Sequence, residues 1–419
     1  MIFERQQFVN QLIEHIGNNM IKVVTGMRRC GKSYLLFELF HNYLLSHGIA
    51  EDHLIEIRLD NRLNMELRNP DVCLKYIVSR IQDEKQYYLL MEEVQLMDEF
   101  EDVLASCLQI KNLDCYVSGS NSHLLSSDII TEFRDRGDEI RLFPLSFSEY
   151  MKAFPDKSWD AAWSEYSTYG GLPHTLQIAD EKGKIKYLKD LLKKTYLKDI
   201  VDRYKIKDEA PLGRLLDILC SSIGSLTNPK KLEDTFKSVG RITLTDATIK
   251  QYIDYFEDAF MLNKAERYDV KGKRYISTPL KYYLSDFGLR NALLNFRQIE
   301  ETHLMENIIY NELIYRGFGV DVGVVEVYER DGEGKQTRKQ IEIDFVVNNG
   351  SNRYYIQSAF ALPDQEKIAQ EERPLKALDD SFKKIVIVKD DILLRRNEDG
   401  IVTMGLRQFL TDPNSLELA

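Results

Sequence analysis

The run IKVVTGMRRCGKSYLLFELF, residues 21–40, passes from an apolar stretch through a basic turn punctuated by two glycines into an amphipathic stretch. Few folds accommodate that order. IKVVTG predicts a buried strand, and residues 33–45 carry apolar side chains at 35, 36, 39, 40, 43 and 44, the spacing of one helix face. The turn between them, GMRRCGKS, fits G-x-x-x-x-G-K-[ST] directly after a strand and at the opening of a helix. Its glycines let the backbone curl, so that N–H groups along Gly26, Met27, Arg28, Arg29, Cys30, Gly31, Lys32 and Ser33 face phosphate oxygens, and the helix N-terminus adds positive potential. In such a loop Lys32 bridges the β- and γ-phosphates of ATP and Ser33 holds Mg²⁺.

The next segments alternate in kind. HLIEIRLD alternates as a strand, Asp71 is placed to cap the helix VCLKYIVSRI, YYLLM is a strand, MDEFEDVLASCLQI a helix, and DCYVSGSN and EIRLFPL two further strands. The expected fold class is α/β, a parallel sheet with helices on both faces, which binds ligands beyond the carboxyl ends of its strands. Two carboxylates, Glu92 and Glu93, follow YYLLM at such an end and suit magnesium coordination and polarisation of an attacking water. HLIEIRLD lies between the phosphate loop and this carboxylate strand, which suggests the hydrolysing, additional-strand type. Asn121 follows the next strand, in reach of a γ-phosphate.

GMRRCGKSYLL, YYLLMEEVQ, VSGSNSHLLS, EFRDRGDEIRLFPLSFSEY and YGGLP, in this order, resemble a family of prokaryotic AAA-type ATPases with an uncharacterised C-terminal region. The likeness continues through YLKDIVDRY, KYYLSDFGLRNALL, ENIIYNELIYRGFGV, IEIDFVV and YYIQSAF, nearly the whole chain. The resemblance implies phosphate-loop roles for Lys32 and Ser33, a magnesium-side role for Glu92, the catalytic carboxylate at Glu93 and a γ-phosphate sensor at Asn121. It offers Arg134 and Arg136 as arginines supplied to a neighbouring subunit's nucleotide, and so an oligomer. The family has aspartate where this chain has Glu92, which moves the carboxylate by about one bond length and puts the rate of hydrolysis in question.

Beyond PLSFSEYMKAF the pattern turns helical, with YGGLPHTLQIA as a break and KGKIKYLKDLLKKTYLKDI as a lysine-rich amphipathic stretch whose lysines suit a solvated face. Helices followed by TDATIKQYIDYFEDAFML and the hairpin-like AERYDVKGKRYIS fit a winged helix-turn-helix. On DNA, Lys250 would enter the major groove and Lys271, Lys273 and Arg274 would meet phosphate, although Asp246, Asp254, Glu257 and Asp258 on the same helix repel it. A protein partner is the alternative. From Glu306 onward, ENIIYNELIYRG, GVVEVYER, QIEIDFVV and RYYIQSAF resemble the PD-(D/E)xK nuclease fold, with Glu306 and Asp344 at ligand positions. Gln357 stands where the second strand carboxylate would be and Ala359 where the lysine would be, so this site is read as degenerate and inactive. ERDGEGKQTRKQ, residues 329–340, reads as an exposed hairpin loop.

The expected divisions are 1–150 for the P-loop ATPase core, 151–210 for a helical lid or linker, 211–300 for the winged helix and 301–419 for a restriction-endonuclease-like α/β domain. A formal charge of −11 argues against a chain that coats nucleic acid wholesale. The five cysteines show no CxxC spacing, and the histidines no metal-ligand spacing. No apolar run is long enough for a membrane span and MIFERQQFVN lacks a secretory layout, so the expected location is cytoplasmic. The reading is a Mg²⁺-dependent ATPase that couples nucleotide state to a macromolecule, DNA first. Its rivals are an ATP-gated protein-binding switch with little turnover and, least supported, a nuclease.

Overall fold

The computed structural model describes residues 3–119, 136–239, 244–297, 300–330 and 336–419. Contacts divide the chain into two compact units. The first comprises Met1–Leu145, Leu172–Gln177 and Phe256–Met261; the second comprises Ser146–Gly171, Ile178–Tyr255 and Leu262–Ala419.

In the first unit β1 (Ile21–Thr25), β2 (Leu54–Arg58), β3 (Tyr87–Glu92), β4 (Leu113–Ser118) and β5 (Gly137–Arg141) form one parallel sheet in the order β2-β3-β4-β1-β5. Every residue of β1, β3 and β4 is buried, as apolar strands covered on both faces require. β4 is the strand inserted between β1 and the carboxylate strand β3. HLIEIRLD lies between them in sequence, but as β2 it is the sheet edge. The pairings Val24↔Ser118, Glu92↔Ser118 and Thr25↔Arg141 bring the carboxyl ends of these strands to one rim. Helix Pro70–Arg80 starts earlier than an Asp71 cap would have it. Asn69 is the cap, its Oδ1 accepting from Val72 N at 3.1 Å, and Pro70 fills the first helical position, where a missing N–H costs nothing. Ile57, Leu89, Met91 and Val117 of the sheet pack with Ile77 and Leu104 of the helices in one buried cluster. Truncating any one of these to alanine would cost about 2–5 kcal/mol.

The second unit holds an eight-stranded mixed sheet: β6 (Leu262–Asp269), β7 (Arg274–Leu284), β8 (Gly319–Arg330), β9 (Gln336–Asn349), β10 (Asn352–Ala359), β11 (Lys383–Val388), β12 (Arg395–Arg396) and β13 (Val402–Gly405). Their order is β12-β13-β11-β10-β9-β8-β6-β7. β6 and β7 make the expected hairpin around Lys271–Lys273, but β6 also pairs in parallel with β8, from Arg267↔Val322 to Asp269↔Val324. The sheet therefore runs across residue 300, and the segments 211–300 and 301–419 share one hydrogen-bonded layer. Within 329–340, where an exposed hairpin loop was expected, β8 and β9 stay paired to Arg330↔Gln336; residues 331–335 lie outside the described residues.

The lysine-rich stretch is helical over Glu181–Leu191, Leu192–Leu197 and Lys198–Arg203. Lys184 departs from the solvated-face expectation: it is buried and ion-pairs with Glu165, as does Lys157. Helix Trp159–Tyr169 is held by edge-on aromatic packing of Phe147 against Trp159 and Tyr166, and of Tyr166 against Phe287, with centroids 4.9, 5.2 and 4.9 Å apart. It ends at Gly170, φ 79°, where a Cβ would sit 2.4 Å from Asp286 Oδ1, so only glycine fits. Asp286, 1% exposed, accepts from Gly171 N at 2.8 Å and, as N-cap of helix Phe287–Leu293, from Leu289 N at 3.0 Å. Among the described residues, no helix is long and apolar enough to cross a membrane.

Candidate functional site

The carboxyl rim of the parallel sheet gathers most of the residues singled out in the first half of the sequence. Gly26 follows β1 at φ 133°, and a Cβ there would lie 2.1 Å from Leu142 O, so the loop passes the sheet where a side chain cannot. Met27 and Cys30 are buried and anchor the loop, while Arg28 is half-buried and Arg29 exposed. The chain then enters helix Lys32–Tyr34, which continues through Leu35–Phe40 and His41–Ser46.

Lys32, 6% exposed, donates from Nζ to Gly26 O at 2.9 Å and Met27 O at 3.1 Å, folding back over its own loop. Ser33 Oγ donates to Glu92 Oε1. The two groups expected to share an ion thus stand together, and Mg²⁺ fits a hydroxyl and a carboxylate placed in this way. Glu92 is 7% exposed, and burial raises its pKa. The Ser33 hydrogen bond and Arg58 act against that rise, and Asp60 and Glu93 add to it. Asp60 is a third strand-tip carboxylate absent from the sequence reading. Its signal was available, since HLIEIRLD ends on it and Arg58 pairs with Glu92 in register.

Glu93 is half-buried and adopts φ 54°, ψ 49°, a left-handed conformation costly for a residue with a Cβ and concentrated at functional sites. Gln95 Nε2 donates to its carboxylate. Ser118, at the tip of β4 opposite Glu92, is fully buried, and its hydroxyl has no hydrogen-bond partner among the described residues. Pro173 belongs to the same unit, with Cγ 3.9 Å from where a Gly31 Cβ would stand. In sequence YGGLP stood as a break and as one segment of the family resemblance, with no role given to Pro173.

Asn121 and Arg134 lie outside the described residues. Arg136 is exposed, and its carbonyl accepts from Ile21 N at 2.9 Å, where β1 begins. The loop starts where β1 ends, about 16 Å away at 3.3 Å per strand residue, so Arg136 stands at the rim opposite its own phosphate loop.

The second unit brings together Glu306, Asp344 and Gln357. Asp344 N donates to Gln357 Oε1 at 3.4 Å, and Ser358 N donates to Asp344 Oδ2 at 2.8 Å. Lys281 and Glu342, neither singled out by the sequence, join the cluster, as does Tyr283, whose OH donates to Glu306 Oε1 at 2.6 Å. Lys281 of β7 lies with Nζ 2.8 Å from Glu306 Oε1, 2.7 Å from Glu342 Oε1 and 3.7 Å from Asp344 Oδ1. Burial works against its ammonium, but Glu306, Asp344 and Glu342 outweigh it and hold the pKa above the ordinary lysine value. For Asp344, burial and then Glu306 push the carboxyl up to about 8 against the pull of Lys281. Ala359 is packed in an apolar cluster with Tyr355, Leu375 and Val388. On the hairpin and the preceding helix, Lys250, Lys271, Lys273 and Arg274 are exposed, Arg274 with Nε 3.4 Å from Asp269 Oδ2.

Comparison with known proteins matches the AAA domain family over residues 18–151 and a domain of unknown function (DUF8612) over residues 160–300. An uncharacterized protein of Haemophilus influenzae is 31% identical over 391 residues, covering 92% of this chain and 93% of that protein. The uncharacterized protein MJ1544 of Methanocaldococcus jannaschii is 27% identical over 429 residues, covering 98% and 90% respectively. Among solved structures, the Walker-type ATPase PABY2304 of Pyrococcus abyssi aligns at 15% identity and TM-score 0.48, over 70% of this chain and 96% of its own. The Orc1 protein of Aeropyrum pernix, solved in complex with DNA, aligns at 10% identity and TM-score 0.32, over 70% and 93%.

Proposed function

Because this chain belongs to the family of the Haemophilus influenzae protein and carries an AAA-type ATPase domain in its first unit, we propose that it hydrolyses ATP with Mg²⁺ and uses the nucleotide state to control binding of a macromolecule. The observation that carries this reading is the Ser33–Glu92 hydrogen bond beside a buried Lys32 at the carboxyl rim of the parallel sheet.

On this reading the N–H groups from Gly26 to Ser33 take the phosphates. Lys32 exchanges its two carbonyl partners for β- and γ-phosphate oxygens, a charge-assisted bond replacing neutral ones. Ser33 and Glu92 hold the ion, which when bound neutralises charge between the β- and γ-phosphates. Glu93 orients and polarises the attacking water, and Asn121 reports the γ-phosphate. Arg136, exposed at the opposite rim, and Arg134 act on a neighbouring subunit's nucleotide in an oligomer. The β6–β7 hairpin and helix Asp246–Asp258 serve as a winged helix, with Lys250, Lys271, Lys273 and Arg274 toward DNA phosphates, and the second unit's strands from β8 onward form a nuclease-like scaffold.

ATP turnover tests the first step. Lys32→Ala should lose ATP binding, and Glu93→Gln should retain binding while slowing hydrolysis roughly 10²–10⁴-fold, the usual contribution of a general base. Turnover unchanged in Lys32→Ala would refute the ATPase reading. Two features favour the rival, a switch set by ATP occupancy: glutamate stands at position 92 where the family has aspartate, and helix Asp246–Asp258 is acidic. Low-salt DNA titrations with and without ATP separate the two, since phosphate contacts are strongest there. Binding with stimulated turnover supports the DNA-coupled ATPase; ATP binding without turnover or DNA affinity supports the switch acting on a protein.

A further inference from the structure

The metal that a nuclease-like fold implies does not fit the second unit. Glu306, Asp344 and a third oxygen would have to converge on one ion at roughly 2.0–2.6 Å, the range for magnesium and calcium. An ammonium stands at that point of convergence. Lys281 Nζ has oxygens of Glu342, Glu306 and Asp344 at 2.7, 2.8 and 3.7 Å, and the residue is 2% exposed. The rest of the cluster is also occupied: Tyr283 OH donates to Glu306 Oε1 at 2.6 Å, Ser358 N to Asp344 Oδ2 at 2.8 Å, and Gln357 Oε1 receives Asp344 N at 3.4 Å. As the side chains stand around this ammonium, no three His, Cys, Asp or Glu side chains among the described residues form a group able to hold a metal ion.

We infer that Lys281 is an internal cation standing in for the divalent metal, so that this site works as a charged staple and not as a phosphodiester-cleaving centre. The inference rests on the nuclease-like reading of the second unit and is independent of the ATPase reading of the first. Lys281 comes from β7, while its partners come from helix Glu301–Tyr315 and β9, so one charge ties the hairpin to both. Tyr283, two residues along β7 on the same face, adds its hydroxyl to the same glutamate. A metal must find its carboxylates deprotonated and unpaired, whereas here the counter-charge is covalently attached and shielded from water. Position 359 is alanine, and a lysine is held elsewhere in the same cluster, in contact with the carboxylates themselves. The same hairpin carries Lys271, Lys273 and Arg274 at its turn, so nucleic acid bound there is not cut by this cluster.

Mn²⁺ binding to the full-length, nucleotide-free protein tests this, read by the electron paramagnetic resonance signal of the free ion. The wild type and Asp344→Asn should give the same binding curve, because no ion uses Asp344. Lys281→Ala empties the centre of the cluster and should gain a site absent from the wild type, at least ~10-fold tighter than any residual binding and lost again in the Lys281→Ala/Asp344→Asn double variant. A wild-type site that disappears in Asp344→Asn overturns the inference, as does Mn²⁺-dependent DNA cutting that requires Lys281. A folded Lys281→Ala protein that takes up no additional ion overturns it too, reducing the cluster to an ordinary ion pair. If Lys281→Ala does not fold, the wild type against Asp344→Asn decides alone. Ions at Ser33 and Glu92 are unaffected by Asp344→Asn, and ATP turnover in Lys32→Ala judges the first unit separately.

Discussion

Replacing Asp286 by alanine should destabilise the second unit strongly while leaving the first unit's sheet intact. The side chain is 1% exposed and accepts two backbone hydrogen bonds, from Gly171 N at 2.8 Å and Leu289 N at 3.0 Å. Hydrogen bonds to a carboxylate contribute about 1.5–3 kcal/mol each, and a helix cap typically about 1 kcal/mol. Alanine offers neither N–H a partner, and the Gly171 contact is buried, so the desolvation cost of that donor remains uncompensated. Part of the loss is returned because the carboxylate no longer has to be desolvated. The net is about 3 kcal/mol, roughly a hundredfold in the ratio of folded to unfolded second unit.

The chain contains two tryptophans, and both stand on helix Trp159–Tyr169, whose end Asp286 holds. Intrinsic tryptophan fluorescence therefore reports the second unit alone, which matters because a chain of two units need not unfold in one step. In urea, with a slope of about 1–3 kcal/mol/M, the fluorescence midpoint should fall by about 1 M or more. Asp286→Asn keeps one acceptor and turns an NH₂ group toward the other donor, so it should fall between wild type and alanine. A midpoint for Asp286→Ala within the ~0.5 kcal/mol of an ordinary surface substitution would refute the assignment of Asp286 as the clamp on Gly171.

Gly26→Ala places a Cβ 2.1 Å from Leu142 O, a backbone atom that cannot rotate away, at a φ of 133°. ATP binding, measured by titration with a fluorescent analogue, should be lost and the melting temperature of the first unit lowered; retained binding would show that the loop is not shaped by that contact. The buried carboxyl of Asp344, pushed up to about 8, keeps a proton that the unfolded chain releases near its ordinary value of 3.8. Its stabilisation is complete below that ordinary value and is lost as pH rises through about 8. Urea midpoints of the wild type should therefore decline between about pH 5 and about pH 9, with a flatter profile in Asp344→Asn, and identical slopes would contradict the assignment.

The first unit was legible because its signals are local. Strand, phosphate loop and helix follow one another within 26 residues, and each carboxylate at a strand tip announces itself by ending an apolar run. Adjacency was less legible. That β4 and not β2 separates β1 from β3 depends on which strands find each other in space, and no single strand's pattern records that. Pro173 reaches the loop region from about 140 residues downstream, so it falls in no motif window. Helix capping shows the same limit at short range, since Asn69 and Asp71 both satisfy the pattern and Pro70 decides between them.

Lys281 is the sharpest case, because the nuclease pattern places a lysine two residues past Gln357 on β10, where this chain has Ala359. The position that matters is a point in space reached from β7, 63 residues before Asp344. Comparing two of the buried lysines, Lys32 and Lys281, shows what composition alone hides. Lys32 rests on two neutral carbonyl oxygens of its own loop, bonds that a phosphate can replace with stronger ones, so that site is poised to exchange. Lys281 rests on carboxylates from other elements, and any incoming cation would first have to displace an ammonium already paired with them. Similar ingredients, carboxylates and an amine, therefore give an open site in the first unit and a closed one in the second. What separates them is whether the lysine's partners bear the opposite charge.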